Sequence, residues 1–137
     1  MIQEEKELLL RDLCARLPYG VKLNFYAAAT KENYTCTLLG IEPNDDKSII
    51  AKVDNGAFMF PSEHIKPYLR PMSAMTEEEF DDFSDIIIPV DGGKAIVEEE
   101  NSHKYVDFCN AHHFDYRGLI PMSLALEATK DMYNTKN

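Results

Sequence analysis

The feature that most constrains the fold is a change of hydrophobic period near residue 20. Over Gln3–Arg16 the leucines recur at steps of three and four residues, which is typical of an amphipathic helix with one apolar face. Pro18 and Gly20 end this helix, because proline cannot continue it and glycine permits a tight turn. From Val21 onward apolar and polar residues alternate, as they do in strands. The sequence therefore predicts a helix that covers a sheet.

Four strand-like segments joined by short connections follow this helix. They are Val21–Tyr26, Tyr34–Ile41, Ser48–Val53 and Ala57–Phe60. Asn55 and Gly56 between the last two indicate a hairpin, since both residues accept the positive φ of a tight turn. A helical turn and a final edge strand are expected over Pro61–Pro71, where the prolines suit an edge. We predict an antiparallel meander that closes into a small SH3-like β-barrel.

The C-terminal portion is predicted to be acidic and mainly helical. Thr76 and Glu79 have the spacing of a capping box, which predicts a helix over Glu77–Ser84 with Phe80 and Phe83 on its inner side. A further helix is expected from about Ser102 to His113. The fold class is thus α+β, with an N-terminal helix and barrel in residues 1–72 and a helical portion in residues 73–137 packed on it, around one shared core.

Charge separates these two portions and excludes some classes of partner. The chain has 24 Asp and Glu against 14 Lys and Arg, a formal net charge of −10, and most of the excess lies beyond residue 70. Such a surface repels phosphate, so direct binding to nucleic acid or to an anionic membrane is not expected. The acids of Glu77–Glu100 are read most simply as a solvated face, with mimicry of DNA as the sharper alternative.

One stretch, Cys109–Arg117, concentrates side chains that can do chemistry. On a continuous helix Cys109 and His113 share a face, so a thiolate and an imidazole could hold one metal or form a nucleophile pair. Zinc needs three or four ligands, however, and histidines near a helix end can instead bond its free carbonyls. Asp115 is expected to cap the following turn. The candidate binding residues are His112, His113, Asp115, Tyr116, Arg117 and Tyr68, the last because it lies among prolines as in an SH3-type groove.

The cysteines and the N-terminus indicate the compartment. Cys14, Cys36 and Cys109 are widely spaced and odd in number, which gives no disulfide framework. The first residues are acidic where a signal peptide would be basic, and no run approaches the ~20 apolar residues that span a bilayer. We expect a cytoplasmic protein.

Three longer runs carry a resemblance to a known family. They are residues Glu7–Val21, Ile65–Glu79 and His112–Ile120, which together cover less than half of the chain. In these three runs the chain resembles a family of small proteins from gut bacterial genomes, their prophages and related phages. The resemblance implies a phage or mobile-element context. It implies no activity and no catalytic residues.

The functional hypothesis is a non-enzymatic protein-binding or adaptor module of phage or mobile-element origin. Its partner is expected to be another protein, and no cofactor is expected, because the residues supply no set of nucleophile, base and orienting group and no phosphate loop. Two alternatives remain open. One is a small metal-assisted enzyme that uses Cys109, His112, His113 and Asp115. The other is an acidic DNA mimic that inhibits a DNA-binding protein of the host.

Overall fold

The computed structural model of the protein describes residues 2–27, 29–43, 49–54, 56–60, 65–84, 88–90, 94–96, 102–129 and 131–133. Its α-helices are α1 (Gln3–Arg16), α2 (Glu77–Ser84) and α3 (Ser102–Ala111), and short 3-10 helices lie at Leu17–Tyr19 and Met72–Ala74. Its strands are β1 (Lys22–Ala27), β2 (Glu32–Pro43), β3 (Ile49–Val53), β4 (Gly56–Phe60), β5 (Ile65–Leu69), β6 (Ile88–Val90), β7 (Lys94–Ile96) and β8 (Leu126–Glu127). The bounds of α1 and α2 are those that the sequence predicts.

Six of the strands form one mixed sheet in the order β4-β3-β2-β1-β5-β8. Every pair in it is antiparallel except β5 and β8, which run parallel. The predicted hairpin is present, since Val53 lies opposite Gly56, although Asn55 itself lies outside the described residues. The strands β6 and β7 form a separate antiparallel pair. The α+β class and the N-terminal helix are therefore confirmed.

Two finer expectations about this sheet are not met by the pairing of the described strands. The sheet is open, with β4 and β8 at its two edges, so a closed barrel is not confirmed. The prediction that β5 is an edge strand is wrong, because Leu23 of β1 pairs with Pro67 and Leu126 of β8 pairs with Tyr68. An inner position is compatible with Pro67, because a proline removes only one hydrogen-bond donor from the sheet. The short β8 pairs with only Tyr68 and Leu69 of β5.

The core lies between the sheet and α1. Leu9 and Leu13 of α1 are fully buried and pack in one cluster with the inner face of the strands. Residues 73–137 also contribute to this cluster, through the loop after α3. Among the described residues neither α2 nor α3 contributes to it, so the predicted packing of these helices on the sheet is not confirmed. The other buried members are Val21, Leu23, Phe25, Cys36, Leu38, Ala51, Val53, Ile65, Leu69, Leu119, Leu124 and Ala125.

Several sequence features lie outside the described residues. They are His64, Asp85, the turn residues Asp91–Gly93 and the acids Glu98–Glu100. Within the described part of the chain, no helix is both long enough and apolar enough to cross a membrane.

Candidate functional site

The C-terminus of α3 turns sharply and places His113 outside the helix. The N–H of Phe114 bonds the carbonyl of Cys109 at 2.8 Å, and the N–H of His113 bonds that of Asn110 at 3.2 Å, which is a Schellman motif. His113 takes the left-handed position of this motif, with φ of 63°, where glycine is usual. The helix therefore ends earlier than the sequence predicts, and the argument that Cys109 and His113 share a helical face does not apply.

The side chain of His113 is buried and neutral. It is 6% exposed, and its ring stacks on Tyr133 with the ring centroids 3.7 Å apart. Burial lowers the pKa of His113 to about 4, and the nearby positive charges of Arg16, Arg70 and Lys22, together with His112, act in the same direction. The His113 ring therefore contributes to the fold by packing against Tyr133.

Cys109 lies in an equally closed environment. It is fully buried, and burial raises the pKa of its thiol to about 11, despite opposing effects of Tyr105 and Arg16. A nucleophilic or metal-binding cysteine acts as the thiolate, which this environment disfavours. Among the described residues no three His, Cys, Asp or Glu side chains come together in a way that could hold a metal ion.

His112 belongs to an ion network that joins β5, α2 and α3. Glu79 receives two bonds from Arg70, with Nη1–Oε2 of 2.7 Å and Nη2–Oε1 of 2.6 Å. The Nδ1 atom of His112 lies 2.8 Å from Oε2 of the same carboxylate. Burial would raise the pKa of Glu79, but the hydrogen bonds from Arg70 and the Thr76 N–H and the charges of Arg70 and His112 lower it to about 2. Glu79 is thus an ionised acceptor, and Nδ1 of His112 donates.

The same glutamate also caps α2. The N–H of Thr76 bonds Oε1 of Glu79 at 3.0 Å, and the N–H of Glu79 bonds the Thr76 hydroxyl at 3.2 Å. The predicted capping box is therefore confirmed. The Arg70 guanidinium in turn stacks over Phe114 at 4.4 Å from the ring centroid, and the backbones of these two residues form a parallel bridge. These contacts fix the start of α2 to the end of β5.

A second, fully buried ion pair joins α1 to the loop after α3. The side chains of Asp12 and Arg16 are 0% exposed, and Nε of Arg16 donates to Oδ2 of Asp12 at 2.8 Å. The Nη2 atom of Arg16 donates to the carbonyl of Phe114 at 2.6 Å. Arg117 lies 3.3 Å from the other carboxylate oxygen of Asp12, and also donates to the Tyr116 hydroxyl at 2.9 Å. Arg16 and Arg117 both lie over the Tyr116 ring.

The remaining candidate residues bond to the protein backbone or to neighbouring side chains. Asp115 accepts the N–H groups of Leu119 at 2.8 Å and Ile120 at 2.9 Å, so its predicted role as a cap is confirmed. The Tyr68 hydroxyl accepts a bond from Asn24 at 3.2 Å, and the Tyr68 carbonyl accepts one from Tyr133 at 2.7 Å. Asp115 and Tyr68 therefore both make hydrogen bonds within the protein itself.

The outer face of α2 carries a feature that sequence reasoning missed. Phe80 is 55% exposed, and the prediction that it lies on the inner side is wrong. Glu79 is the residue that faces inward, because Arg70 and His112 bind it, and the next residue on a helix points about 100° away. Phe80 borders an open depression of about 360 Å³, the α2 groove, which is lined by Met75, Thr76, Glu77, Phe80 and Asp81.

No protein-family model, curated protein or solved structure matches the chain. The features that bear on function are therefore the side chains of the two ion networks and of the α2 groove.

Proposed function

We propose that the protein is a non-enzymatic protein-binding module and that the α2 groove is its docking surface. The observation that carries this proposal is Phe80, a large apolar side chain that is 55% exposed beside an open depression. Aromatic side chains and methionine are enriched at protein interfaces, and anchors of this kind contribute most of the binding free energy. Both Phe80 and Met75 border the groove.

The bonding of Glu79 supports this role, because it prepares the surface before any partner arrives. Arg70, His112 and Thr76 hold the inward-facing carboxylate, and Phe80 follows it directly in the chain. A surface that is already ordered loses less conformational entropy on binding. The networks around Glu79 therefore act as a support for the docking helix.

The state of the alternative site favours binding over catalysis. A catalytic cysteine needs a lowered pKa and access to solvent, whereas the pKa of Cys109 is raised and its side chain is buried. Asp115 uses both carboxylate oxygens to accept backbone N–H groups. His112 is bound to Glu79, and His113 is packed against Tyr133.

Three further parts of the proposal concern the connectivity of the sheet, the origin of the protein and its location. The return of β5 to pair with β1 supports an SH3-like connectivity for the sheet. The resemblance to proteins of gut bacteria and their prophages supports a phage or mobile-element origin. A cytoplasmic location agrees with the free thiols of Cys14, Cys36 and Cys109.

A photo-crosslinking amino acid placed at position 80 tests the docking surface. In the cells that naturally express the protein, we expect position 80 to form a covalent adduct with one defined protein. Position 39 is the matched control, because Leu39 is 62% exposed on β2 and lies outside the groove. Equal adducts at both positions, or none at position 80, would contradict the proposal.

A further inference from the structure

We infer that the α2 groove takes a basic segment of its partner that carries one large apolar side chain; this inference rests on the proposed function. The groove combines two chemistries at its lining. Phe80 and Met75 offer apolar contact, and Glu77 and Asp81 add carboxylates. Residues three and four apart lie on one face of a helix, so Glu77 lies next to both Phe80 and Asp81.

The ionisable side chains of α2 are all acidic. The exposed residues Glu77, Glu78, Asp81 and Asp82 all belong to α2, and that helix contains no lysine or arginine. Arg70 and His112 both contact α2 through Glu79, and the Arg70 guanidinium is already paired with that carboxylate and bonded to the carbonyl of Ala74. Acids in the first turn also offset the positive end of the helix dipole. The groove therefore attracts a cationic segment.

The apolar part of the groove selects an anchor within that segment. Contact between the exposed Phe80 ring and an apolar side chain of the partner removes both groups from water, which stabilises the complex. Methionine beside it adapts its shape to different apolar groups. A single leucine, methionine or phenylalanine flanked by lysine or arginine supplies the matching chemistry, because the flanking cations reach the carboxylates while the anchor covers Phe80.

A second copy of the same chain does not fit this description. The chain has a formal net charge of −10, so self-association through α2 would place acids against acids. Like charges brought together at an interface disfavour the wrong partner and set specificity. The occupant is therefore a different protein with a basic segment.

Titration of the isotope-labelled full chain with three synthetic peptides of about 12 residues tests this chemistry by NMR. The first peptide has a central leucine flanked by lysines and arginines, the second replaces the bases with glutamates, and the third replaces the leucine with glycine. We expect only the first to shift the amides of residues 77–84 strongly. Its Kd should rise at least about fivefold between about 50 mM and about 300 mM salt, as screening weakens the attraction.

Two variants locate the contacts. Phe80→Ala should weaken binding of the first peptide about tenfold or more, whereas Leu39→Ala, at an exposed site outside the groove, should leave it unchanged. Glu77→Gln should weaken binding about twofold or more and reduce its salt dependence. The inference is overturned if the acidic peptide binds as well as the basic one, if the shifts map elsewhere, or if no peptide binds.

The two proposals fail separately. If position 80 crosslinks specifically to a partner and the basic peptide does not bind, the docking surface stands and its assigned chemistry is wrong. If position 80 gives no specific adduct and no peptide shifts the α2 amides, both proposals are wrong.

Discussion

Arg70 and Glu79 form a bidentate ion pair, with 2.7 Å between Nη1 and Oε2 and 2.6 Å between Nη2 and Oε1. Arg70 directly follows β5, and Glu79 lies in the first turn of α2, so one pair fixes where the helix starts and which face it turns inward. His112 adds a third group from the end of α3. The exposure of Phe80 is a consequence of this pair, because a helix that buries Glu79 turns the next residue outward.

Removal of the charge at position 79 tests how much this pair stabilises the fold. We expect Glu79→Gln to lower the free energy of unfolding by about 2–4 kcal/mol, because it leaves the largely buried Arg70 without its anion. Urea unfolding measures the change. Glu78→Gln is the matched control on the exposed side of α2 and should change stability by no more than about 0.5 kcal/mol. Equal effects of the two variants would contradict the role given to the pair.

Acid should destabilise the protein in a first window that belongs to His113. Its pKa is lowered to about 4 in the folded state from 6.5, so the unfolded chain binds the proton more tightly. The stability that neutral His113 contributes is therefore fully present above pH 6.5, and about 3 kcal/mol of it is lost as the pH drops to about 4. His113→Asn keeps a residue that tolerates positive φ and removes the titration, so its stability should change little between pH 6.5 and about 4.5, above the decline that belongs to Glu79. A slope equal to that of the original chain would contradict the assignment.

Glu79 should add a second window at lower pH. Its folded pKa of about 2 lies below the ordinary value of 4.5, so the stability it contributes is present above pH 4.5 and is lost as the pH falls towards 2. Stability measured against pH in Glu79→Gln should lack this second decline. A decline that persists in the variant would show that other carboxylates cause it.

The buried pair of Asp12 and Arg16 should show strong coupling. Each single variant, Asp12→Leu or Arg16→Met, leaves one charge uncompensated and should cost about 3–5 kcal/mol in unfolding free energy. The double variant removes both charges and should cost less than the sum of the two. Arg11→Met, at an exposed position of α1, is the control and should change little. Strict additivity of the two single changes would contradict a direct interaction.

The sequence predicts those features of the fold that depend on residues close together in the chain. The end of α1 follows from Pro18 and Gly20, and the start of α2 follows from the capping box; both are local features of the sequence. The hydrogen bond between Arg16 and the carbonyl of Phe114 joins residues 98 positions apart, and no pattern among neighbouring residues predicts such a contact. The α3 terminus was also unpredictable, because His113 occupies a position where glycine is the usual signal.

The same limit explains the candidate site. Two phenylalanines three residues apart favour a shared inner face, which was the expectation for Phe80 and Phe83. Arg70, nine residues before Glu79, makes the buried face polar at that point instead. The cap formed by Asp115 could be predicted, because it bonds residues only four and five positions later.

The most direct test of the account is the variant Phe80→Asp, measured for both stability and partner binding beside Leu39→Asp. If Phe80 is a docking residue, the free energy of unfolding of Phe80→Asp should lie within about 0.5 kcal/mol of that of the original chain. The variant should also lose the partner captured at position 80. Leu39→Asp should keep both properties. Loss of folding in Phe80→Asp would show that Phe80 belongs to the core, and unchanged binding would show that the partner docks elsewhere; either result contradicts the account.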